Sequence, residues 1–220
     1  MSILFKHLKQ WAIQHYGIIV PENTEETISR QAKKMLDQND WSEDFFFKAI
    51  EKNDQNVMNP ILDLLTVQES YFFRDSALFD TLQTHILPQL IAQKRENKDF
   101  CINIWSAACS RGEEIYSLAI CLHQLLSRET NWVFNLLGTD INQHALEQAN
   151  QGFYYKNSLR SLDAKLKKTY FTQEGPIYFL KSFIKDKVEF AYDNLTKPNT
   201  KRHTFDLIFC RNVLIYLTQD

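Results

Sequence analysis

The sequence has few glycines and cysteines, little net charge and no long apolar run. It contains only five glycines and four cysteines in 220 residues, and its formal net charge is -2. No apolar run is long enough to span a bilayer, so we expect no direct membrane insertion. The near-balance of acidic and basic residues argues against a nucleic-acid partner.

The four cysteines also exclude two kinds of cross-linked protein. Their spacing is unpaired, which indicates neither a disulfide framework nor a zinc site, and we expect no metal. The first twenty residues alternate apolar and polar side chains as an amphipathic helix does, so they do not resemble a signal peptide. We therefore expect a cytoplasmic protein with reduced thiols. The cysteines are Cys101, Cys109, Cys121 and Cys210.

What is present divides near residue 70. The earlier part is helical by periodicity, and the later part alternates strands and helices, which predicts an α/β fold with a parallel sheet. We expect an N-terminal helical domain at residues 1–70 and an α/β domain at 71–220. The predicted helices are Ser2–Tyr16, Thr24–Gln38 with Thr24 as N-cap, Ser42–Asn53, Ile61–Leu65, a region from Ser76 to Arg95 interrupted at Pro88, Glu114–Leu126 and Gln143–Ala149. The predicted strands are Cys101–Ser106, Trp132–Gly138, Val188–Ala191 and Phe205–Cys210.

The segment IWSAACSRGEEIYSLAI, residues 104–120, joins the first strand to its helix. Such a turn offers free backbone N–H groups to a nucleotide-like ligand. The glycine-rich fingerprint for a pyrophosphate is missing, and Glu113 and Glu114 stand where a phosphate would need positive charge. The loop therefore suits a cationic or hydroxyl-rich ligand, although both glutamates would also be favourable charges in the first turn of a helix.

Asp140 ends the second strand, in LLGTDINQHALEQAN. An acidic residue here lies beside the crevice at the end of the first strand, where it can accept hydrogen bonds from both hydroxyls of a ribose. It could equally cap the helix that starts near Asn142. The two interpretations stay open on this segment alone.

Three motifs in order resemble the chemotaxis receptor glutamate methyltransferases, the CheR family. They are QESYFFRD (Gln68–Asp75), IWSAACSRGEEIYSLA (Ile104–Ala119) and FDLIFCRNVLIYL (Phe205–Leu217), with GTDIN and VEFAYDNL between them. The resemblance implies a class I (Rossmann-like) methyltransferase domain that binds S-adenosylmethionine, with a small β-subdomain inserted at residues 170–190. It also implies methylation of receptor glutamates to methyl esters.

The resemblance further implies a set of cofactor-binding residues. Glu114 and Asp140 would contact polar groups of S-adenosylmethionine, Asp140 the ribose, with Glu113 as the alternative to Glu114. Asn194 and Leu195 would border the adenine, and Arg211 with Asn212 would close the site. Gln68 and Ser70 stand where Asn and Thr are more usual in the family, and they would keep polar contacts with the cofactor.

Two residues are implied to be catalytic. Arg74 matches the functional arginine of the family, and it would orient the incoming carboxylate or contact the methionine end of the cofactor. Tyr216 matches a tyrosine close to the reacting groups. Taken alone, Arg74 could be a surface residue paired with Asp75, and Tyr216 could be a core aromatic residue.

The implied partner is the helical, glutamate-containing cytoplasmic domain of a chemotaxis receptor. Arg30, Lys33 and Lys34 share one helix face and could form a docking patch or a merely solvated face. With Gly175 as its one glycine, the β-subdomain leaves open whether it binds a tethering peptide. A module that binds cofactor without turnover, or a methyltransferase with another acceptor, are the alternatives.

The resemblance also predicts how the sheet ends. Members of the family continue after a motif like NVLIYL with a helix, a further parallel strand and an antiparallel hairpin. We therefore expect the C-terminal part of the sheet to be absent from these residues, either because they are part of a longer protein or because another segment takes its place. Phe205–Cys210 should then be an exposed edge strand.

Overall fold

A computed structural model describes residues 2–52, 54–66, 69–198 and 204–218. The chain forms two compact units. The first contains Met1–Gln68, Asn194–Pro198 and Asn212–Asp220, and the second contains Glu69–Asp193 and Asn199–Arg211. The division at residue 70 remains our proposal for the domains. No helix in the described part of the chain is long and apolar enough to cross a membrane.

Helices build most of the first unit. They are α1 (Ile3–Tyr16), α2 (Glu25–Gln38), α3 (Glu43–Lys52) and α4 (Gln55–Leu65). The Ser2 hydroxyl accepts a hydrogen bond from Phe5 N–H and starts α1, and Gly17 ends that helix with a left-handed φ of 67°. After Tyr216, the chain pairs with the residues that follow α1, through an antiparallel bridge between Ile18 and Leu217.

Thr24 is the N-cap residue of α2 by position, as predicted, but its side chain makes no capping hydrogen bond, because its hydroxyl donates to the Pro21 carbonyl oxygen in a short 3-10 turn. The predicted start of α4 is wrong. The helix begins six residues before Ile61 and runs through Pro60. Burial of Val57, Met58 and Ile61 on one face offsets the hydrogen bond that a proline cannot donate.

The second unit contains a four-stranded parallel sheet. Its strands in chain order are β1 (Cys101–Ala107) and β2 (Val133–Asp140), and later β6 (Val188–Tyr192) and β7 (Leu207–Cys210). The spatial order is β6-β2-β1-β7, and Ala107 at the end of β1 lies opposite Cys210 at the end of β7. The helices are α5 (Ser76–Thr81), α6 (Leu87–Glu96), α7 (Glu113–Leu126), α8 (Gln143–Gln151), α9 (Ala164–Tyr170) and α10 (Ser182–Lys185). The predicted α/β class is confirmed.

Strand β7 is the edge strand that the sequence predicted. In the described part of the chain it pairs with β1 alone. Its Ile208 side chain is 54% exposed.

The helical region before β1 differs from its prediction at Pro88. The helical region is irregular at Leu82–Ile86, which form a π-helical segment. Pro88 lies after this segment, in the first turn of α6. A proline is tolerated there because the N–H it lacks has no partner within the helix. Pro88 therefore lies in the first turn of a helix and does not interrupt one.

A separate antiparallel sheet forms the β-subdomain. It contains β3 (Phe153–Tyr155), β4 (Phe171–Glu174) and β5 (Ile177–Leu180) in the order β3-β5-β4. The expected range of 170–190 holds β4 and β5. The sheet also takes β3 from an earlier part of the chain, and β6, which begins at Val188, belongs to the parallel sheet.

Candidate functional site

The loop between β1 and α7 has a strained, fixed conformation. Ala108, Ser110 and Gly112 all have left-handed φ angles, of 57°, 51° and 82°. A non-glycine residue in this region costs about 1–3 kcal/mol and persists only where its surroundings fix it. A Cβ at Gly112 would lie 2.9 Å from the Phe190 ring, so close packing as well as φ requires glycine there.

Asp140 connects this loop to the end of β2. Its Oδ2 accepts a hydrogen bond from Ser110 N–H at 2.7 Å, and its Oδ1 accepts one from Asn142 N–H at 2.8 Å. Burial raises the pKa of Asp140, against these two hydrogen bonds and a third from the backbone N–H of Ile141. Asn142, not Asp140, caps α8, because its Oδ1 accepts from Ala145 N–H. A carboxylate has about four lone-pair sites, so Asp140 retains capacity to accept from a ligand hydroxyl.

Glu114 lies where the ends of β1 and β7 meet. Its Oε1 accepts from the Ser106 hydroxyl at 2.8 Å, and its Oε2 lies 3.3 Å from Nη1 of Arg211. Nη2 of the same arginine lies 3.3 Å from Asp75 Oδ2. Burial raises the pKa of Glu114, whereas the Ser106 hydrogen bond and the positive charges of Arg211 and Arg74 favour its ionised form.

Glu113 points to a different environment from its neighbour. Its side chain is fully buried, and its Oε1 accepts from the Ser158 hydroxyl at 3.1 Å. Burial raises its pKa, against the charge of Arg111 and hydrogen bonds that include one from Ser70. Of the two glutamates, Glu114 is thus the one that joins the predicted site residues Arg74 and Arg211.

Arg74 is carried by an irregular segment, Glu69–Asp75, called here the Arg74 segment. Its guanidinium donates to the Glu69 carbonyl oxygen and contributes positive charge at Glu114. Asp75 pairs with Arg211, so the alternative of a simple Arg74–Asp75 surface pair is not what the structure has. Phe73 and Asp75, on either side of Arg74, have left-handed φ angles of 55° and 70°.

The remaining predicted residues lie in the first unit. Asn194 is buried, with its Oδ1 accepting from Thr196 N–H at 3.0 Å, and Leu195 beside it is half-buried. Asn212 is exposed with a φ of 57°, and Tyr216 ends a short 3-10 turn. Their assignment to cofactor or catalysis stays a prediction. Gln68 lies outside the described residues.

Sequence reasoning missed three partners at this site. They are Ser106, Asp75 and Ser158; the first two lie within quoted motifs, and Asp75 was considered only as a partner of Arg74. Ser158 follows β3 and has no motif of its own. Its contact with Glu113 becomes visible only in the folded chain.

Cys109 lies in the loop but is unsuited to nucleophilic chemistry. Burial raises its pKa well above that of a free thiol, and the charges of Asp140 and Glu114 raise it further. The thiolate is the reactive form of cysteine. Cys109 is therefore a buried packing residue at neutral pH.

These groups fit the S-adenosylmethionine that the resemblance implies. Within the described ranges, the Ser110 hydroxyl is buried beside Asp140 and has no hydrogen-bond partner, as expected where a polar ligand completes the site. Glu114, Arg74 and Arg211 supply both signs of charge, which matches an amino-acid end that carries an ammonium and a carboxylate. The carboxylates exclude a phosphate cradle.

Comparison with known proteins confirms the resemblance. Residues 68–220 match the family model described as CheR methyltransferase, SAM binding domain. A chemotaxis protein methyltransferase of Borreliella burgdorferi is 34% identical over 180 residues, which cover 79% of this chain and 63% of the relative. One of Listeria monocytogenes is 34% identical over 176 residues, covering 80% and 63%.

A third relative matches more of the chain. Chemotaxis protein methyltransferase 1 of Pseudomonas aeruginosa is 30% identical over 210 residues, covering 93% of this chain and 76% of the relative. The match to the first two relatives spans about 63% of their length. From its motifs, its sheet and these matches, the chain belongs to the CheR methyltransferase family, whose cofactor is S-adenosylmethionine.

Proposed function

We propose that the chain is a protein-glutamate O-methyltransferase that converts glutamate side chains in the cytoplasmic domain of chemotaxis receptors to methyl esters. The observation that carries the proposal is the position of Glu114, between the Ser106 hydroxyl and Arg211 and within the field of Arg74. Opposite charges at the carboxyl ends of adjacent parallel strands suit a zwitterionic ligand. The relatives' names support methyl transfer in chemotaxis.

The geometry of the second unit supports the proposed roles of Asp140 and Glu114. Asp140 would accept hydrogen bonds from the ribose, because its carboxylate has lone-pair capacity beyond the N–H donors of Ser110, Asn142 and Ile141. Glu114 would bind the amino group of the methionine end of the cofactor. Arg211 would keep the Glu114 carboxylate in place. The proposed cofactor contacts of Gln68, Ser70, Asn194, Leu195 and Asn212 rest on the family resemblance alone.

When bound, S-adenosylmethionine supplies an electrophilic methyl group on a positively charged sulfur. The receptor carboxylate, with a pKa of about 4.3 in its free form, is already ionised at neutral pH, so the chain needs no general base. The chain contributes by aligning the receptor carboxylate and excluding water. Such positioning can lower the activation barrier by about 7–11 kcal/mol in favourable cases. Arg74 and Tyr216 are the proposed orienting residues.

The receptor assignment rests on the resemblance to the CheR family, not on a surface of this chain. Arg30, Lys33 and Lys34 are exposed on α2, but the groove they line also contains Glu22, Glu25 and Glu26. The local charge is therefore mixed and does not select an acidic partner. We propose a cytoplasmic location because the acceptor domain lies there.

A transfer experiment tests the proposal. The chain is incubated with S-adenosylmethionine labelled in its methyl group and with a receptor cytoplasmic domain, and the label that base releases as methanol is measured. Base-labile label that disappears when receptor glutamates are replaced by alanine supports the proposal. Cofactor binding without any transfer would favour a non-catalytic signalling module, and base-stable label would indicate another acceptor.

A further inference from the structure

Contacts with other parts of the chain fix the conformation of the Arg74 segment. The segment is irregular, and the left-handed φ angles at Phe73 and Asp75 are ones that bulky or branched side chains rarely adopt without external constraint. A guanidinium that orients reacting groups must be fixed to a fraction of an ångström. The contacts that fix this backbone therefore bear directly on the proposed reaction.

The buried side of the segment is fixed by backbone hydrogen bonds. Phe72 N–H donates to the Ser158 carbonyl oxygen and Phe73 N–H to the Ser117 hydroxyl, both at 2.9 Å. The Phe72 ring is fully buried and contacts Tyr154 edge to face, with ring centroids 4.8 Å apart. These contacts fix Phe72 and Phe73 but do not reach the start of the segment.

The solvent side of the segment is contacted by Arg160, which follows β3 in a turn. The Arg160 guanidinium carbon lies 3.4 Å from the centre of the Tyr71 ring, and its Nη2 lies 3.6 Å from Glu69 Oε1. The carbonyl oxygen of that same Glu69 accepts the hydrogen bond from the Arg74 guanidinium. Arg160 therefore contacts two of the three residues that precede Phe72, and one of them, Glu69, binds Arg74 directly. The third, Ser70, hydrogen-bonds the buried Glu113.

We infer that Arg160 is a positioning residue for Arg74, acting through Tyr71 and Glu69. This inference rests on the proposed function and deepens it. The planar guanidinium stacks on the tyrosine ring while its edge pairs with the glutamate carboxylate, so one side chain contacts two residues of the segment. Fixing Glu69 fixes the carbonyl oxygen that orients the Arg74 guanidinium.

The control variant is Arg95→Ala, because Arg95 makes the same two kinds of contact elsewhere. Its Nη2 lies 2.6 Å from Glu129 Oε1, and its guanidinium carbon lies 5.9 Å from the centre of the Trp132 ring. Both arginine side chains are substantially exposed, at 35% for Arg160 and 48% for Arg95. Both alanine variants should therefore fold.

Hydrogen exchange of the free protein tests the constraint without any activity. We expect Arg160→Ala to accelerate amide exchange in the Arg74 segment by about tenfold, and Arg160→Lys to restore protection only in part, because an ammonium keeps the charge but cannot stack. Arg95→Ala should leave exchange of the segment unchanged. Wild-type exchange in Arg160→Ala would overturn the inference.

Kinetics then separate positioning from general stability. Arg160→Ala should lower kcat for methyl-ester formation by about tenfold, by the same loss of constraint, and should have no further effect in an Arg74→Ala background. An equal fractional loss of kcat in both backgrounds would overturn the inference, because the loss would not pass through Arg74. Absence of transfer by the wild-type chain would contradict the proposed function instead, and hydrogen exchange would still decide the role of Arg160.

Discussion

The Glu114 carboxylate lies 3.3 Å from the Arg211 guanidinium, so a residue that starts α7 contacts a residue that follows β7. The register explains the contact. Ala107 at the end of β1 lies opposite Cys210 at the end of β7, so the segments that follow these two strands leave the sheet side by side. The pair places opposite charges at the carboxyl end of the sheet, where ligands of α/β folds bind.

Glu114→Gln should weaken cofactor binding. The amide keeps the shape but loses the negative charge proposed to bind an ammonium, and a charge-assisted hydrogen bond is worth about 1.5–3 kcal/mol, or roughly one to two decades in Kd. Calorimetric titration with S-adenosylhomocysteine measures the change. Glu129→Gln is the matched control, since Glu129 also pairs with an arginine. Equal Kd values in the two variants would remove Glu114 from the site.

Asp140→Ala should also weaken binding by about one to two decades in Kd, because the ribose hydroxyls would lose a charged acceptor. This variant also leaves Ser110 N–H and Asn142 N–H without their acceptor, so stability must be separated from binding. Asp163→Ala serves as control, because Asp163 accepts the Leu166 N–H at the start of α9. It should lower the free energy of unfolding by about 1 kcal/mol and leave Kd unchanged. If Asp140→Ala bound as tightly as Asp163→Ala, the ribose assignment would be wrong.

Arg74→Ala should reduce methyl-ester formation far more than it reduces stability. Loss of an orienting charge in an enclosed site costs about two to three decades in kcat in comparable cases. Rates are measured at saturating cofactor and receptor, beside thermal unfolding of each variant. Arg74→Lys should rescue poorly, because an ammonium cannot reproduce a planar pair of donors. Wild-type rates in Arg74→Ala would show that it does not act in transfer.

Glu113→Gln should alter how stability depends on pH. Burial raises the pKa of Glu113 above 4.5, so the ionised side chain costs stability in the folded state at neutral pH. This loss of stability is absent below the pKa that Glu113 has in the unfolded chain. It grows as the pH rises through the pKa that Glu113 has in the folded chain. The free energy of unfolding of Glu113→Gln, relative to wild type, should therefore increase between about pH 4.5 and pH 8. Urea unfolding at both ends of this range gives the difference, and a constant or decreasing difference would contradict the burial of a charged Glu113.

The sequence predicted the parallel strands well because buried strands require near-continuous apolar runs, and it placed Asp140 at a strand end by the same pattern. It could not predict that Ser110 N–H would bind Asp140, because left-handed φ angles at Ala108 and Ser110 leave no trace in residue type. Pro88 misled the helix prediction, since it lies near the start of a helix and not at an interruption.

The contacts around Arg74 could not be predicted from the sequence either. The motif identified Arg74, but Arg160 and Ser158 lie more than eighty residues later and have no periodic signal. They reach the Arg74 segment because the turn after β3 packs against it. Contacts of this kind depend on tertiary folding and not on local pattern.

A crystal structure of the chain with S-adenosylhomocysteine tests the account most directly. We expect the ribose hydroxyls to bind the Asp140 carboxylate, the Ser110 hydroxyl to gain a polar partner, and the methionine end to lie against Glu114, beside Arg74 and Arg211. A ligand bound elsewhere, or one whose ribose and amino group contact neither Asp140 nor Glu114, would contradict the account.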